Sequence, residues 1–281
     1  MAGETEFSAY LRTQTWVAFD TETTGLWAPS HRVVEIGAVR FRLGSDRTET
    51  FASLVNPQRP MPSEVIRIHG ITDDTVADAP TVGDVLRRFL DFCSDAVLVA
   101  HNAPFDISFV GCEMERCQLP FCDNLIFDTV DIYRRLFPGL PGYSLLQLAR
   151  QFNVAQTQAH RALADAEYVS RLVRHAATRF PEIDGPEALR ATFTTYRMQD
   201  WRSEPAVIPV GYEDLALALA EKRRIRIKYH STGQEAAWRV IRPSIVHALG
   251  DRLYLTAHCE KADAERTFRL DRIESYELLE E

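Results

Sequence analysis

Residues 16–26 read WVAFDTETTGL. A run of four apolar residues ends in an acid, Asp20, and a second acid, Glu22, follows two positions on. A short apolar run bounded by polar residues is the pattern of a buried strand. In extended chain, residues i and i+2 point to one face, so Asp20 and Glu22 reach toward one point at the strand's end. Two carboxylates at the edge of a buried strand repel each other and are costly without a partner. A hard divalent cation, Mg²⁺ or Mn²⁺, takes oxygen ligands of this kind. The plainer reading is a pair of solvated turn residues.

Outward from this stretch the pattern is that of an α/β layer fold. Residues 33–41 (VVEIGAVRF) and 49–55 read as two further strands, joined by a turn at Gly44-Ser45-Asp46 as a hairpin. Residues 96–100 (AVLVA) read as a second fully buried strand, and Ile126-Phe127 as a short one. Apolar spacing of helical period marks residues 82–92, 105–115, 144–152 and 161–178. Pro104 suits a first helical turn. Near Phe180 the composition changes. Pro181, Pro186, Pro205 and Pro209 interrupt the chain, so residues 181–210 are expected to connect two domains, with room for a helix over 187–197. The expected domains are 1–180 and 211–281. The second begins with a helix (YEDLALALAEKRR) and continues with four strand-like runs, at about 224–230, 236–247, 252–259 and 266–270.

Bulk properties narrow the function classes. The chain has 281 residues and a formal charge of -8, which argues against a generic basic nucleic-acid binder. It does not exclude a nuclease, because bound cations offset the metal-binding carboxylates. No apolar run approaches the roughly 20 residues of a membrane helix. Glu4 and Glu6 stand where a signal peptide would be basic and apolar. Five irregularly placed cysteines suit a reducing compartment, and the cytoplasm is the expected location. Neither a G-x-G-x-x-G nor a G-K-[ST] motif is present, so no ATP or NAD site is expected.

Two more segments place acids early in helices. His101-Asn102-Ala103-Pro104-Phe105-Asp106 follows the AVLVA strand and opens a helix, which puts Asp106 in a first helical turn. A plain electrostatic preference of acids for helix N-termini accounts for it equally well. His160-Arg161-Ala162-Leu163-Ala164-Asp165 sets a histidine on the approach to a helix and an acid inside it. That arrangement suits a general base reaching a water beside an acid that holds a metal. A surface or capping histidine is the bland alternative.

Together, FDTETTGL (19–26), HNAPFD (101–106) and HRALADA (160–166) resemble, in order and spacing, the three motifs of the DEDDh 3′→5′ exonuclease family, which includes the proofreading epsilon subunit of bacterial DNA polymerase III. Ile68-His69-Gly70-Ile71-Thr72 and Tyr143-Ser144-Leu145 resemble further family segments, and the likeness covers about residues 12–178. It implies an RNase H-like fold with a mixed central sheet flanked by helices. It implies a two-cation site in which Asp20, Glu22, Asp106 and Asp165 are the metal ligands and His160 is the general base. The product would be a 5′-mononucleotide. By the same resemblance Thr23 and Thr24 meet the terminal sugar, Leu26 or Trp27 stacks on or wedges against the last base, and His69 contacts the nucleotide or buttresses the site. DNA with a single-stranded or frayed 3′ end is the expected substrate, with RNA as an alternative and a non-catalytic binder as a third reading.

In the C-terminal part, Arg224-Ile225-Arg226-Ile227-Lys228-Tyr229 alternates strictly, so Arg224, Arg226 and Lys228 line one face of a strand. A solvated, edge-protecting strand has the same pattern. Segments 239–243, 252–255 and 269–273 resemble a WYL domain, with Leu253 in place of the eponymous tryptophan. The resemblance implies a small SH3- or Sm-like β-barrel associated with nucleic-acid or ligand sensing. Its candidate surface is Tyr229, Arg239, Arg242, Tyr254, Arg269 and Arg272, together with the basic face of the alternating strand.

Overall fold

The computed structural model describes residues 8–155, 160–201, 208–231, 235–249 and 252–279. The chain divides into two compact units, residues 1–202 and 203–281. In the first unit the elements run α1 (Ala9–Thr13), β1 (Thr15–Thr23), β2 (Val33–Arg42), β3 (Thr48–Leu54), α2 (Ser63–His69), α3 (Asp73–Val76), α4 (Val82–Cys93), β4 (Val97–Ala100), α5 (Ala103–Arg116), β5 (Ile126–Asp128), α6 (Thr129–Leu136), α7 (Leu145–Gln151), α8 (Ala162–Ala177), α9 (Pro186–Thr192) and β6 (Thr195–Tyr196). A 3₁₀ turn, Met198–Trp201, follows.

The strands form one mixed sheet in the order β3-β2-β1-β4-β5-β6. β1 runs antiparallel to β2 and parallel to β4, and β4 is parallel to β5. β1 is buried on both faces because successive side chains enter different cores. Val17 and Phe19 pack with α4 and α5 residues such as Phe89 and Ile107. Trp16 and Ala18 pack on the other side with residues of α6 and α8 such as Tyr133 and Val169. Asp20 and Glu22 continue the even-numbered series and so emerge on the α8 side. This is the α/β layer fold that the sequence pattern implied, in the RNase H-like form that the family resemblance implied.

The stretch expected to connect two domains contributes structure to the first unit. β6 pairs with β5, Met198 is buried in the core, and the Trp201 ring lies against Gly111 of α5. Pro186 starts α9 at its first turn, and the helix stops at Thr192, short of the expected 197. Residues 202–207 lie outside the described residues.

The second unit has α10 (Glu213–Ala220), β7 (Ile225–Tyr229), β8 (Ala237–Leu249), β9 (Arg252–Cys259), β10 (Ala264–Arg269) and β11 (Ile273–Leu278). They make a five-stranded antiparallel sheet, β10-β9-β8-β7-β11, over a core of Leu215, Ile225, Ile227, Ile241, Leu255 and Phe268. The sequence suggested four strands, and β11 is the fifth. Its Glu274 and Glu277 interrupt the apolar signal, yet it pairs along the whole of β7. No helix among the described residues is long and apolar enough to cross a membrane.

One glycine decides how closely α8 approaches the sheet. Gly37 of β2 stands opposite Asp20 in the β1–β2 register. A Cβ there would lie 2.1 Å from the Leu163 backbone nitrogen and 2.2 Å from the Ala162 carbonyl carbon. Backbone cannot yield as a flexible side chain does, so the start of α8 would have to lift. Gly37→Ala is expected to destabilise the fold by about 3 kcal/mol, read from urea unfolding. An unchanged midpoint would mean that α8 does not sit as described.

Candidate active site

β1 carries the first two acids past the edge of the core, and α8 brings the third to the same side. Asp20, Glu22 and Asp165 each offer an oxygen, and these oxygens all lie within 4.8 Å of one another. Asp106 enters from the opposite face. Its Oδ1 accepts from the Thr21 amide at 2.9 Å and from the Thr21 hydroxyl at 2.8 Å. The anchor is thus the residue between Asp20 and Glu22, which fixes Asp106 beside the triad but outside it. Asn102, just before α5, adopts a left-handed conformation with φ 61°. Its amide donates to Asp128 Oδ1 at 2.8 Å, so the end of β5 sets the direction in which α5 leaves β4.

His160 stands two residues before α8, also in the left-handed region with φ 46°, and is partly exposed. His69 is buried, and its Nδ1 accepts from the Ile71 amide at 3.0 Å. Burial lowers its pKa, and Arg161 and His160 push the same way while the Thr23 carbonyl and Glu35 oppose them. His69 is therefore a neutral ring held in place by its own turn. His101 is held in a comparable way. Its Nδ1 lies 2.8 Å from the Thr129 hydroxyl, and burial pushes it down to about 4, with the Tyr143 carbonyl acting in the opposite direction.

The residues after the acids form a clamped loop. The Thr24 amide donates to the Arg32 carbonyl at 2.9 Å, and its hydroxyl accepts from the Arg32 amide at 3.0 Å. Both groups of Thr24 are thereby engaged inside the loop rather than presented outward. Arg116 of α5 donates to the carbonyls of Ala28, Pro29 and His31. The buried Glu113 carboxylate holds Arg116 at 3.2 Å and Arg32 at 2.8 Å. Gly25 is required because the His31 ring lies where its Cβ would be. On this frame Leu26 is 74% exposed, whereas Trp27 is half-buried and Thr23 is buried with its hydroxyl on the Gly25 carbonyl at 2.6 Å.

Two partners near the acids carried no role in the sequence reading, Thr21 and Glu35. Glu35 interrupts the otherwise apolar, buried first seven residues of β2, and a charge in such a place needs a partner. That was the available signal. The partner is Arg161, whose Nη2 donates to Glu35 Oε1 at 2.6 Å.

In the second unit, acids face most of the basic residues of the alternating strand. Arg226 pairs with Glu277 at 2.5 Å, Lys228 with Glu274 at 2.6 Å and Arg224 with Glu260 at 3.6 Å. Arg226 also lies over the Trp238 ring, 4.6 Å from its centroid. Arg269 pairs with Asp271, and the Tyr229 hydroxyl accepts from the Arg269 amide at 3.2 Å. Tyr254 and Arg272 are half-buried. Arg239 and Arg242 have no acidic partner among the described residues, and Arg242 is exposed.

This geometry suits a nuclease domain of the carboxylate type, and the comparison with protein families assigns the class. The chain belongs to the exonuclease family, whose model matches residues 17–173, and a WYL domain model matches residues 212–278. DNA polymerase III PolC-type of Bacillus cereus is 37% identical over 163 residues, which is 58% of this chain and 11% of the polymerase. The same protein of Caldanaerobacter subterraneus is 38% identical over 168 residues, 60% of this chain and 12% of the polymerase. The chain thus spans a small part of the curated relatives it matches. Among solved structures, the nuclease domain of 3′hExo, a DEDDh family member bound to rAMP, shares the fold. Its TM-score is 0.52 at 19% identity, covering 60% of this chain and 93% of that one. Exonuclease X in complex with 5′ overhanging duplex DNA is 31% identical with a TM-score of 0.46, covering 57% and 90%. Divalent metal ions serve the family, and the oxygen-only triad here fits a hard cation.

The electrostatics point the same way. Burial raises Asp20 well above the usual carboxylate range, with Asp106, Glu22, Asp165 and Glu35 adding to it. Burial and then Asp165 push Glu22 up to about 8. Burial raises Asp106 to about 7 against the pull of its Thr21 hydrogen bonds. Between the ordinary carboxyl range and these raised values, the folded chain without cations holds more protons than the unfolded chain. Its stability therefore falls as pH rises from about 4.5 to about 8. Thermal melts across this window should show a falling midpoint, and added Mn²⁺ should restore it chiefly at the alkaline end. A midpoint independent of both pH and Mn²⁺ would contradict the buried acidic cluster.

Proposed function

We propose that this chain is a 3′→5′ exonuclease that hydrolyses the terminal phosphodiester of DNA and releases 5′-mononucleotides. The observation that carries it is the triad Asp20, Glu22 and Asp165 with its oxygens within 4.8 Å, beside Asp106 anchored to Thr21. Four acids drawn together at a strand end suit two divalent cations, Mg²⁺ or Mn²⁺. Asp20, Glu22, Asp106 and Asp165 are the residues that would hold them. When bound, the cations supply an acidic water and stabilise charge on the phosphate oxygens.

The chain's own groups do the rest. His160 takes a proton from the water as its oxygen bonds to phosphorus, the P–O3′ bond of the preceding nucleotide breaks, and the departing O3′ takes up a proton from solvent to become the new 3′-hydroxyl. Leu26 meets the last base, while Thr23 and the buried His69 shape the pocket beneath the sugar. DNA is favoured because the relatives matched over this unit are DNA polymerases, 37% and 38% identical. A frayed or single-stranded end suits an exposed leucine on a fixed loop, since unstacking an intact end costs a few kcal/mol.

The WYL domain is proposed to hold the strand through Arg239 and Arg242, with Tyr254 and Arg272 nearby in sequence to the same motifs. Its strand order, with the last strand placed beside the first, supports an SH3- or Sm-like barrel. The ion-paired face of β7 is not proposed as part of that surface.

On 3′-labelled single strands of one sequence, DNA is expected to be digested faster than RNA, and only with Mg²⁺ or Mn²⁺. Asp20→Asn should lower kcat by about a thousandfold, the several kcal/mol expected of lost cation chemistry. His160→Ala should cost about a hundredfold or more. Equal digestion by the wild-type chain and Asp20→Asn would refute the assignment, and faster RNA digestion would transfer it to RNA. The Arg239→Ala, Arg242→Ala double variant should weaken single-strand binding about tenfold, seen by fluorescence anisotropy. Unchanged binding would remove the second unit from strand recognition.

A further inference from the structure

Glu35 is a fifth carboxylate at this site. It lies opposite Glu22 in the β1–β2 register and is 4% exposed. Both of its oxygens are occupied. Arg161 Nε donates to them at 3.2 and 3.1 Å, Arg161 Nη2 to Oε1 at 2.6 Å, and the Ala162 amide to Oε2 at 2.9 Å. These donors belong to the two residues that follow His160.

The first turn of a helix has amides without partners inside the helix, and a side chain from the preceding residue commonly serves one of them. Arg161 precedes α8 and provides no such cap. Glu35 supplies it from a different strand, and its charge also suits a helix N-terminus. The forked, charge-assisted pairing with Arg161 fixes direction as well as distance. Gly37, two residues further along β2, admits the same turn of backbone. The left-handed backbone of His160 lies immediately before this fixation. A non-glycine residue keeps such a conformation only where its surroundings hold it.

We infer that Glu35 and Arg161 are a positioning pair, which sets the backbone from His160 to Ala162 against the ends of β1 and β2. The inference rests on the exonuclease reading of the site. Neither residue touches substrate. Loosening the pair misaligns the base with the water while the acids that bind cations remain on β1 and α8. The loss therefore appears in kcat and not in the binding of strand or cation.

The test is steady-state hydrolysis of 3′-labelled single-stranded DNA by the full chain. The variants are Arg161→Gln, Glu35→Gln, the double variant and Arg161→Lys. Each neutral single variant is expected to lower kcat by about tenfold to a hundredfold, the cost of a small misplacement. KM and the Mn²⁺ concentration for half-maximal rate should stay within about threefold of wild type. The double variant should be no slower than the slower single, because both break one link. Arg161→Lys, which keeps the charge but not the fork, should recover only a minor part of the rate. Arg161 is half-exposed, so its variants test the pair even if Glu35→Gln folds poorly.

Rates unchanged by Arg161→Gln, losses that fall on KM or on Mn²⁺ half-saturation, or multiplicative losses in the double variant would each overturn the inference. Hydrogen exchange at the Ala162 amide gives an answer that does not need turnover. Protection lost in Glu35→Ala supports the cap, and protection unchanged overturns it. A wild-type chain that hydrolyses nothing would instead count against the exonuclease reading.

Discussion

Repulsion among buried carboxylates is the constraint around which the first unit is arranged. Asp20, Glu22, Asp106 and Asp165 are costly together, because burial raises Asp20, Glu22 and Asp106 and the neighbouring acids raise Asp20 and Glu22 further. Such a cluster persists only if the rest of the fold holds it. β1 does so by burying Val17 and Phe19 on one face and Trp16 and Ala18 on the other. Thr21 contributes locally with two hydrogen bonds to Asp106. The outcome is a site whose instability without cations is the counterpart of its affinity for them.

Most of the central sheet was legible because β1, β2 and β4 carry buried apolar runs and the helices are amphipathic. The acids were legible because each lies at a strand end or in a helical first turn and because the three motifs recur in a known order. What escaped were links that join distant positions. Glu35 and Arg161 are separated by 126 positions in sequence, and only the packing of α8 over Gly37 makes them neighbours. β6 has two residues, too few for any periodicity, and is a strand only because β5 offers it an edge. β11 escaped for a related reason. Its glutamates suggested solvent, but they are the partners that the basic residues of β7 require.

That last pairing changes the meaning of the alternating strand. In sequence, Arg226 and Lys228 look like a surface waiting for phosphate. In the sheet they form an ion-pair ladder with Glu277 and Glu274, and Arg226 also stacks on Trp238. Exposed pairs of this kind add little to stability, but they leave little net field for a polyanion to feel. Strand binding by this unit must then draw on other residues of the sheet.

The loop bearing Leu26 has a further consequence. With Arg116 gathering three of its carbonyls and Thr24 locked to Arg32, it has few soft torsions left. A surface this rigid does not mould itself to what arrives, so the adjustment falls on the nucleic acid. On the proposed function, an end then enters according to how easily its last pair comes apart. Mispaired ends open at less cost than paired ones. The protein would thereby sort correct from incorrect termini by their own stability, without any contact that reads a base.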